Sequence, residues 1–246
     1  MKKLTILFLL FCTNAYAQTV VYNASFIGAN IGDPPFRLMP MGDSITEGTG
    51  NTPWGYRDDL QDDLLPYKYD FVGFFSNPTS STTYDVNHSG VSGDQVTNLT
   101  SRISSELSTY FKNPQRGDIV TIMIGTNDTN SINSALFSAR VDLLKTDVID
   151  VIRAWSTDID IYIMTIPPKS ADLTDTATWN GLLSTMVSSA GYSNMYLVDV
   201  NAAFNDTNNC SPDYSTCMAD GFHPNTLGHT VLAETLSAAI KANLGH

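Results

Sequence analysis

A hydroxyl, an imidazole and a carboxylate suffice for nucleophilic attack on a carbonyl carbon, and the sequence sets all three in turn-like surroundings. Ser44 sits in Gly42-Asp43-Ser44-Ile45-Thr46, and Asp220 stands three residues ahead of His223 in Asp220-Gly221-Phe222-His223-Pro224. A serine hydroxyl is a weak nucleophile until a base removes its proton, and a neutral imidazole accepts that proton near pH 7. An Asp three residues upstream can fold back in a turn to accept the imidazole Nδ1–H, which fixes the tautomer and stabilises the imidazolium. A further stretch, Gly125-Thr126-Asn127-Asp128, offers a neutral amide donor. Taken singly, each piece has a plainer reading: Gly-Asp-Ser as a tight turn, Asp220 as an Asx turn, His223 as a helix-end residue, Asn127 as bonded within its own loop. Asp43 and Asp128 read as loop-shaping residues, and His229 and His246 as helix-surface and terminal ones.

Convergence of these groups depends on the elements between them. Apolar runs at Arg37–Met41, Tyr69–Phe75, Ile119–Ile124, Ile159–Ile166 and Met195–Val200 predict five strands. Helical periodicity predicts helices over Gly55–Leu65, Gln95–Phe111, Ile132–Trp155, Trp179–Ala190 and Leu227–Leu244. Within the third, Phe137, Val141, Leu144, Val148, Ile152 and Trp155 recur at steps of four and three, a stripe expected to face the core. Strand and helix alternate, which predicts an α/β fold: a five-stranded parallel sheet covered by helices on both faces. Ligands of such sheets bind at the carboxyl ends of the strands. Ser44 follows the first strand, Asn127 the third, and the Asp220/His223 pair comes beyond the fifth, just before the last helix. One rim would then gather the serine, the amide and the Asp/His pair, which favours a serine hydrolase over four unrelated turns.

The 246 residues suit one generous domain, and 25 Asp+Glu against 13 Lys+Arg give a net charge of −12. That field repels phosphate backbones and anionic headgroups, so neither nucleic acid nor a membrane surface is an expected partner. Lys2 and Lys3, the apolar run Leu4–Cys12 and the small-residue end Ala15-Tyr16-Ala17 predict a secretory signal over residues 1–17, cut before Gln18. The run is too short to span a bilayer. Residues 18–246 are then a single domain, secreted or periplasmic, and Gln18–Pro35 reads only as an extended arm. In an oxidising compartment, Cys210 and Cys217 form an even pair, for which a disulfide is expected; two free thiols or a metal site are the alternatives. No Cys-x-x-Cys and no clustered histidines accompany them, so neither a metal nor a cofactor is expected.

The blocks Gly42-Asp43-Ser44, Ser92-Gly93-Asp94, Gly125-Thr126-Asn127-Asp128 and Asp220-x-x-His223-Pro224 resemble the four signature blocks of the GDSL or SGNH hydrolase superfamily, in its order. An α/β-hydrolase elbow wants Gly-x-Ser-x-Gly, and Thr46 occupies its last position. The resemblance implies a flavodoxin-like three-layer α/β/α sandwich and esterase chemistry through an acyl-enzyme. It assigns the triad to Ser44, Asp220 and His223. It also assigns the oxyanion hole to the backbone N–H groups of Ser44 and Gly93 and the side-chain amide of Asn127. Arg37–Gly48, Gly55-Tyr56-Arg57 and Asp70-Phe71-Val72-Gly73 are similar to the secreted acetylxylan esterases of carbohydrate esterase family three. The second block, Asn87-His88-Ser89-Gly90-Val91-Ser92-Gly93-Asp94, is closer to the thioesterase and lysophospholipase branch. The resemblance therefore implies an acyl ester substrate, with acetylated polysaccharide first, a lipid acyl ester second, and a carbohydrate-binding protein without turnover third. Trp54 and Tyr56, ten and twelve residues past the nucleophile, are candidates to stack on a sugar ring, or else begin the first helix and pack on it. His88 is a candidate substrate contact.

Overall fold

Along the strands, apolar side chains alternate between two separate cores within residues 36–49, 53–170 and 172–244, which the computed structural model describes. The predicted signal segment 1–17 and the arm 18–35 lie outside the described residues. The chain runs through β1 (Arg37–Gly42), α1 (Ser44–Glu47), α2 (Arg57–Leu64), β2 (Asp70–Phe71), β3 (Phe75–Ser76), β4 (Asn87–Gly90) and α3 (Val96–Tyr110). It continues through β5 (Ile119–Met123), α4 (Asp128–Ser131), α5 (Phe137–Leu144), a π-helical turn (Lys145–Ile149) and α6 (Asp150–Trp155). Then follow β6 (Asp160–Met164), α7 (Leu173–Ser189), β7 (Met195–Val198), α8 (Val200–Asn205) and α9 (Thr226–Asn243).

The sheet order is β3-β4-β1-β5-β6-β7, with β2 also on β1. All neighbours are parallel except β3, which pairs antiparallel with β4 at the edge. Met39 and Met41, Val120 and Ile122, and Ile161 and Ile163 point to one face, where α3, α5, α6 and α7 cover them. Leu38, Ile119 and Met123, and Tyr162 and Met164 point to the other, under α2, α8 and α9. The result is a three-layer α/β/α sandwich, because parallel strands need helical crossovers and those crossovers land on both faces.

Two features differ from the periodicity reading. The predicted second strand over 69–75 is two short pieces: β2 pairs with the start of β1, whereas β4 pairs with its end. Asn87-His88-Ser89-Gly90 contains no aliphatic residue, so an apolar-run criterion passes over it. The long third helix holds a π turn, and its stripe stays buried from Phe137 to Ile152, whereas Trp155 is 41% exposed. Its indole N–H donates to the Phe111 carbonyl oxygen at 2.7 Å, which gives the large ring a polar tether at the helix exit. Among the described residues no helix is long and apolar enough to cross a membrane.

The segment between α8 and α9 is stapled. Cys210 and Cys217, both fully buried, are joined by a disulfide with Cα atoms 5.6 Å apart. Beyond it, Met218 bridges Pro224, Ala219 N–H donates to the His223 carbonyl at 2.8 Å, and Asn225 N–H donates to the Cys217 carbonyl at 2.9 Å. Asn225 then caps α9 by accepting from Gly228 N–H. The loop 218–224 is thus closed on itself before the helix starts. Replacing both cysteines by serine should lower unfolding free energy by about 2–3 kcal/mol, the loop-closure value for so short a ring. Urea unfolding of the oxidised protein and the double variant measures it.

Candidate active site

Ser44 owes its position to a turn with no room for a larger residue. A Cβ on Gly42 would lie 2.4 Å from the Met123 carbonyl oxygen of β5 and 2.4 Å from Thr46 Oγ1. Asp43 caps α1, its Oδ1 accepting from Ile45 N–H at 3.0 Å, so Ser44 opens the helix. The Ser44 N–H donates to no other described residue. At the other end of this four-residue helix, the fully buried Arg57 donates from Nε to the Thr46 carbonyl at 3.0 Å and from Nη2 to the Glu47 carbonyl at 3.1 Å. It also donates to the carbonyls of Val86 and Asn77. Burial pushes its pKa down to about 10, which still leaves a cation at neutral pH against the carbonyl end of α1.

The loop 218–224 carries the Asp/His pair to this turn. His223 Nε2 lies 3.0 Å from Ser44 Oγ, and His223 Nδ1 lies 2.9 Å from Asp220 Oδ2. Asp220 Oδ1 accepts the N–H groups of Phe222 and His223, both at 2.7 Å, so the carboxylate is held by its own turn. Burial pushes the Asp220 carboxyl up, but the His223 ring and those two N–H donors outweigh it and hold it below the usual carboxylate range. The Asp220 side chain is 54% exposed and that of His223 22% exposed, so the pair borders solvent, while Ser44 is buried at 4%.

The other two blocks meet at the same rim. Gly93 has φ +85°, a left-handed conformation that glycine adopts without strain, and its N–H donates to no described residue. Asn127 Nδ2 donates to the Asp94 carbonyl at 2.9 Å, tying the loop after β5 to the loop after β4. The loop after β4 is also latched to the turn that carries Ser44. Val91 N–H donates to the Gly42 carbonyl at 3.1 Å, and Ser92 N–H to Glu47 Oε2 at 2.6 Å. Ser44, Gly93, Asn127, Asp220 and His223 therefore share one edge of the sheet.

The three candidate substrate contacts have separate fates. Tyr56 is fully buried in the core with Leu38, Ile45 and Leu60, which rules out stacking on a ligand. Trp54 is half-buried and packs edge-on against Tyr84, ring centroids 5.4 Å apart. His88 is 1% exposed, and its Nδ1 accepts from Gly90 N–H at 3.1 Å; burial, with the Arg57 charge, pushes its pKa down to about 3, so it is neutral. It lines a cavity of about 340 Å³ with Glu47, Phe74, Phe75, Asn77 and Val91. His229 is not a helix-surface residue: it is 1% exposed on the inner side of α9, and burial pushes its pKa down to about 4. Glu47 and Arg57 were not legible as site residues, because their partners are backbone groups from segments distant in sequence.

Two carboxyls are buried behind the site. Asp128 Oδ2 accepts from Val96 N–H at 3.2 Å, at the start of α3, and its Oδ1 pairs with Arg140 Nε at 3.3 Å. Burial raises the pKa of both Asp43 and Asp128 to about 6, and the Asp128 charge adds to the rise at Asp43. A folded-state value above the unfolded 3.8 means the stabilising contribution is complete below 3.8 and lost as pH climbs through 6. Asp43→Asn keeps the acceptor for Ile45 N–H and removes the charge. It should gain on the wild type between pH 4 and pH 7.5, by up to about 3 kcal/mol. Thermal melts of both proteins at the two pH values check this; a pH-independent difference would refute it.

Comparison with known proteins agrees with this architecture. A family model described as GDSL-like Lipase/Acylhydrolase matches residues 38–236. A multidomain esterase of Ruminococcus flavefaciens is 28% identical over 85% of this chain, which spans 29% of that protein's length. A carbohydrate esterase family 3 protein from Talaromyces cellulolyticus has a TM-score of 0.67 at 22% identity, covering 85% of this chain and 98% of that one. A family 3 carbohydrate esterase of Clostridium thermocellum has a TM-score of 0.63 at 24% identity, covering 86% of this chain and 100% of that one. At those identities the structural likeness speaks to the fold. With four ordered blocks meeting on one rim and the family model running across most of its length, this chain belongs to the GDSL-like lipase/acylhydrolase family.

Proposed function

We propose that this chain is a serine esterase that removes O-acyl groups, acetyl above all, from polysaccharide outside the cytoplasm. The observation that carries the reading is the continuous relay from Asp220 Oδ2 through the His223 ring to Ser44 Oγ, at 2.9 and 3.0 Å. Asp220 accepts the Nδ1–H, which leaves Nε2 free to accept the serine proton. Ser44 Oγ then bonds to the acyl carbon as that proton moves to Nε2. The negative charge on the former carbonyl oxygen is met by the N–H groups of Ser44 and Gly93, which donate to no other described residue, and by the Asn127 amide. Collapse expels the alcohol, which takes the proton from His223, and water repeats the sequence to release the acid.

The choice of a carbohydrate ester rests on the resemblance of Arg37–Gly48 and of the Gly55 and Asp70 segments to secreted carbohydrate esterases. The name of the multidomain esterase relative favours ester hydrolysis. Export rests on the signal-like residues 1–17 and suits the disulfide.

Release of acetate from acetylated xylan, set against release of fatty acid from lysolipid, tests the substrate, with p-nitrophenyl acetate and octanoate as the chromogenic pair. Acetate release and preference for the acetate ester are expected; the opposite preference would move the chain to the lipid branch. Ser44→Ala should abolish turnover, and Asn127→Ala should lower kcat by about 10²- to 10³-fold in a folded protein.

A further inference from the structure

Behind the loop that carries Gly93 lies a half-buried guanidinium that the reaction scheme does not use. The Arg102 side chain, on α3, is 14% exposed and faces two carboxylates, Asp94 at 8% and Glu106 at 0%. Its Nη1 donates to Asp94 Oδ2, its Nη2 to the Ser89 carbonyl at 2.9 Å, and its Nε lies 3.1 Å from Glu106 Oε1. Ser89 Oγ closes the set by donating to Glu106 at 2.6 Å.

Those contacts bracket one segment. Ser89 is the last residue but one of β4 and Asp94 is the residue after Gly93, so a single planar fork grips the loop before and after the left-handed turn. Asp94 is also where the next loop attaches, since its carbonyl accepts from Asn127 Nδ2 at 2.9 Å. Fixing Asp94 therefore fixes two of the three oxyanion donors together: the peptide N–H of Gly93, one residue away, and the amide of Asn127. A guanidinium suits the task because its N–H groups lie in one rigid plane, whereas an ammonium offers a single point of attachment.

We propose that Arg102 is a positioning residue for the oxyanion hole, holding the Ser89–Asp94 loop so that Gly93 N–H and the Asn127 amide converge on the developing oxyanion. This rests on the esterase reading and adds to it a residue that never touches substrate. Donors aimed at the transition state affect it more than the ground state, so loss of alignment should appear in kcat and spare KM.

The test uses Arg102→Met, Arg102→Lys and Asp94→Asn in the full-length protein, with p-nitrophenyl acetate as substrate and an alkyl boronic acid as mimic of the tetrahedral adduct on Ser44. Arg102→Met and Asp94→Asn should lose about 10- to 10²-fold in kcat with KM changed less than about threefold, and boronate affinity should fall in parallel. Arg102→Lys should recover little, because one ammonium cannot hold both ends of the loop. Circular dichroism establishes which variants fold, and Asp94→Asn, nearly isosteric, serves if Arg102→Met does not. Wild-type kcat in either folded variant, or a loss carried by KM alone, overturns the proposal; so does failure of both to fold, which would make the cluster a stability element. A wild type without turnover, or Ser44→Ala with full turnover, would instead sink the esterase reading.

Discussion

The register of β1 against β4 and β5 governs the rim that carries Ser44, Gly93 and Asn127. Gly42 pairs with Gly90 on one side and with Met123 on the other, so three strands end level and three loops leave the sheet together. Ser44 is two residues beyond that line, Gly93 three, and Asn127 four. Because the side-chain period of a strand is two, a slip of one residue would both stagger the loops and turn Met39 and Met41 from one core into the other. The burial pattern of the strands thus protects the alignment of the loops, and the two cores, which supply the folding energy, pay no attention to the chemistry they hold in place.

Around that alignment the protein accepts costly buried polarity. Among the described residues, Arg57 donates only to backbone carbonyls, Asp43 and Asp128 are carboxyls pushed up by burial, and Arg102 pairs with Asp94 and Glu106. Apolar residues of similar volume would leave the backbone groups that these side chains satisfy without those partners. What these groups supply is direction: Arg57 ties α1 to the segments at Asn77 and Val86, and Asp128 ties the loop after β5 to the start of α3, whereas a short helix such as α1 has too few bonds of its own to hold Ser44 still. The disulfide and the Asn225 cap perform the same office for the loop 218–224, whose Asp220 and His223 border solvent and receive little packing.

Where the sequence reading and the structure part, the causes are specific. β4 was invisible as a strand because its buried side chains are polar, with Ser89 Oγ donating to Glu106 and His88 Nδ1 accepting from Gly90 N–H. Tyr56 looked like a ligand platform because aromatic residues near a nucleophile can be either stacking surfaces or core, and only burial separates the two. His229 read as surface from its helix, yet α9 packs against α2 and carries it inward. Trp155 followed the heptad-like stripe on paper, but it ends the helix 41% exposed, its indole N–H donating to Phe111 O.

By itself the sequence determined the layer order, the ordered blocks and the identity of the serine, the imidazole, the carboxylate and the amide. Those are local matters: apolar period sets helix or strand, alternation sets a parallel sheet, and residue chemistry sets which groups can exchange a proton. Tertiary structure alone decided which groups touch. The 3.0 Å contact between Ser44 and His223 spans 179 residues, and the hold of Arg102 on Asp94 becomes meaningful only through Asn127, 33 residues further on from Asp94. Such contacts depend on how far each loop reaches and on which polar atoms are left for others to satisfy, and neither has a signature in residue order.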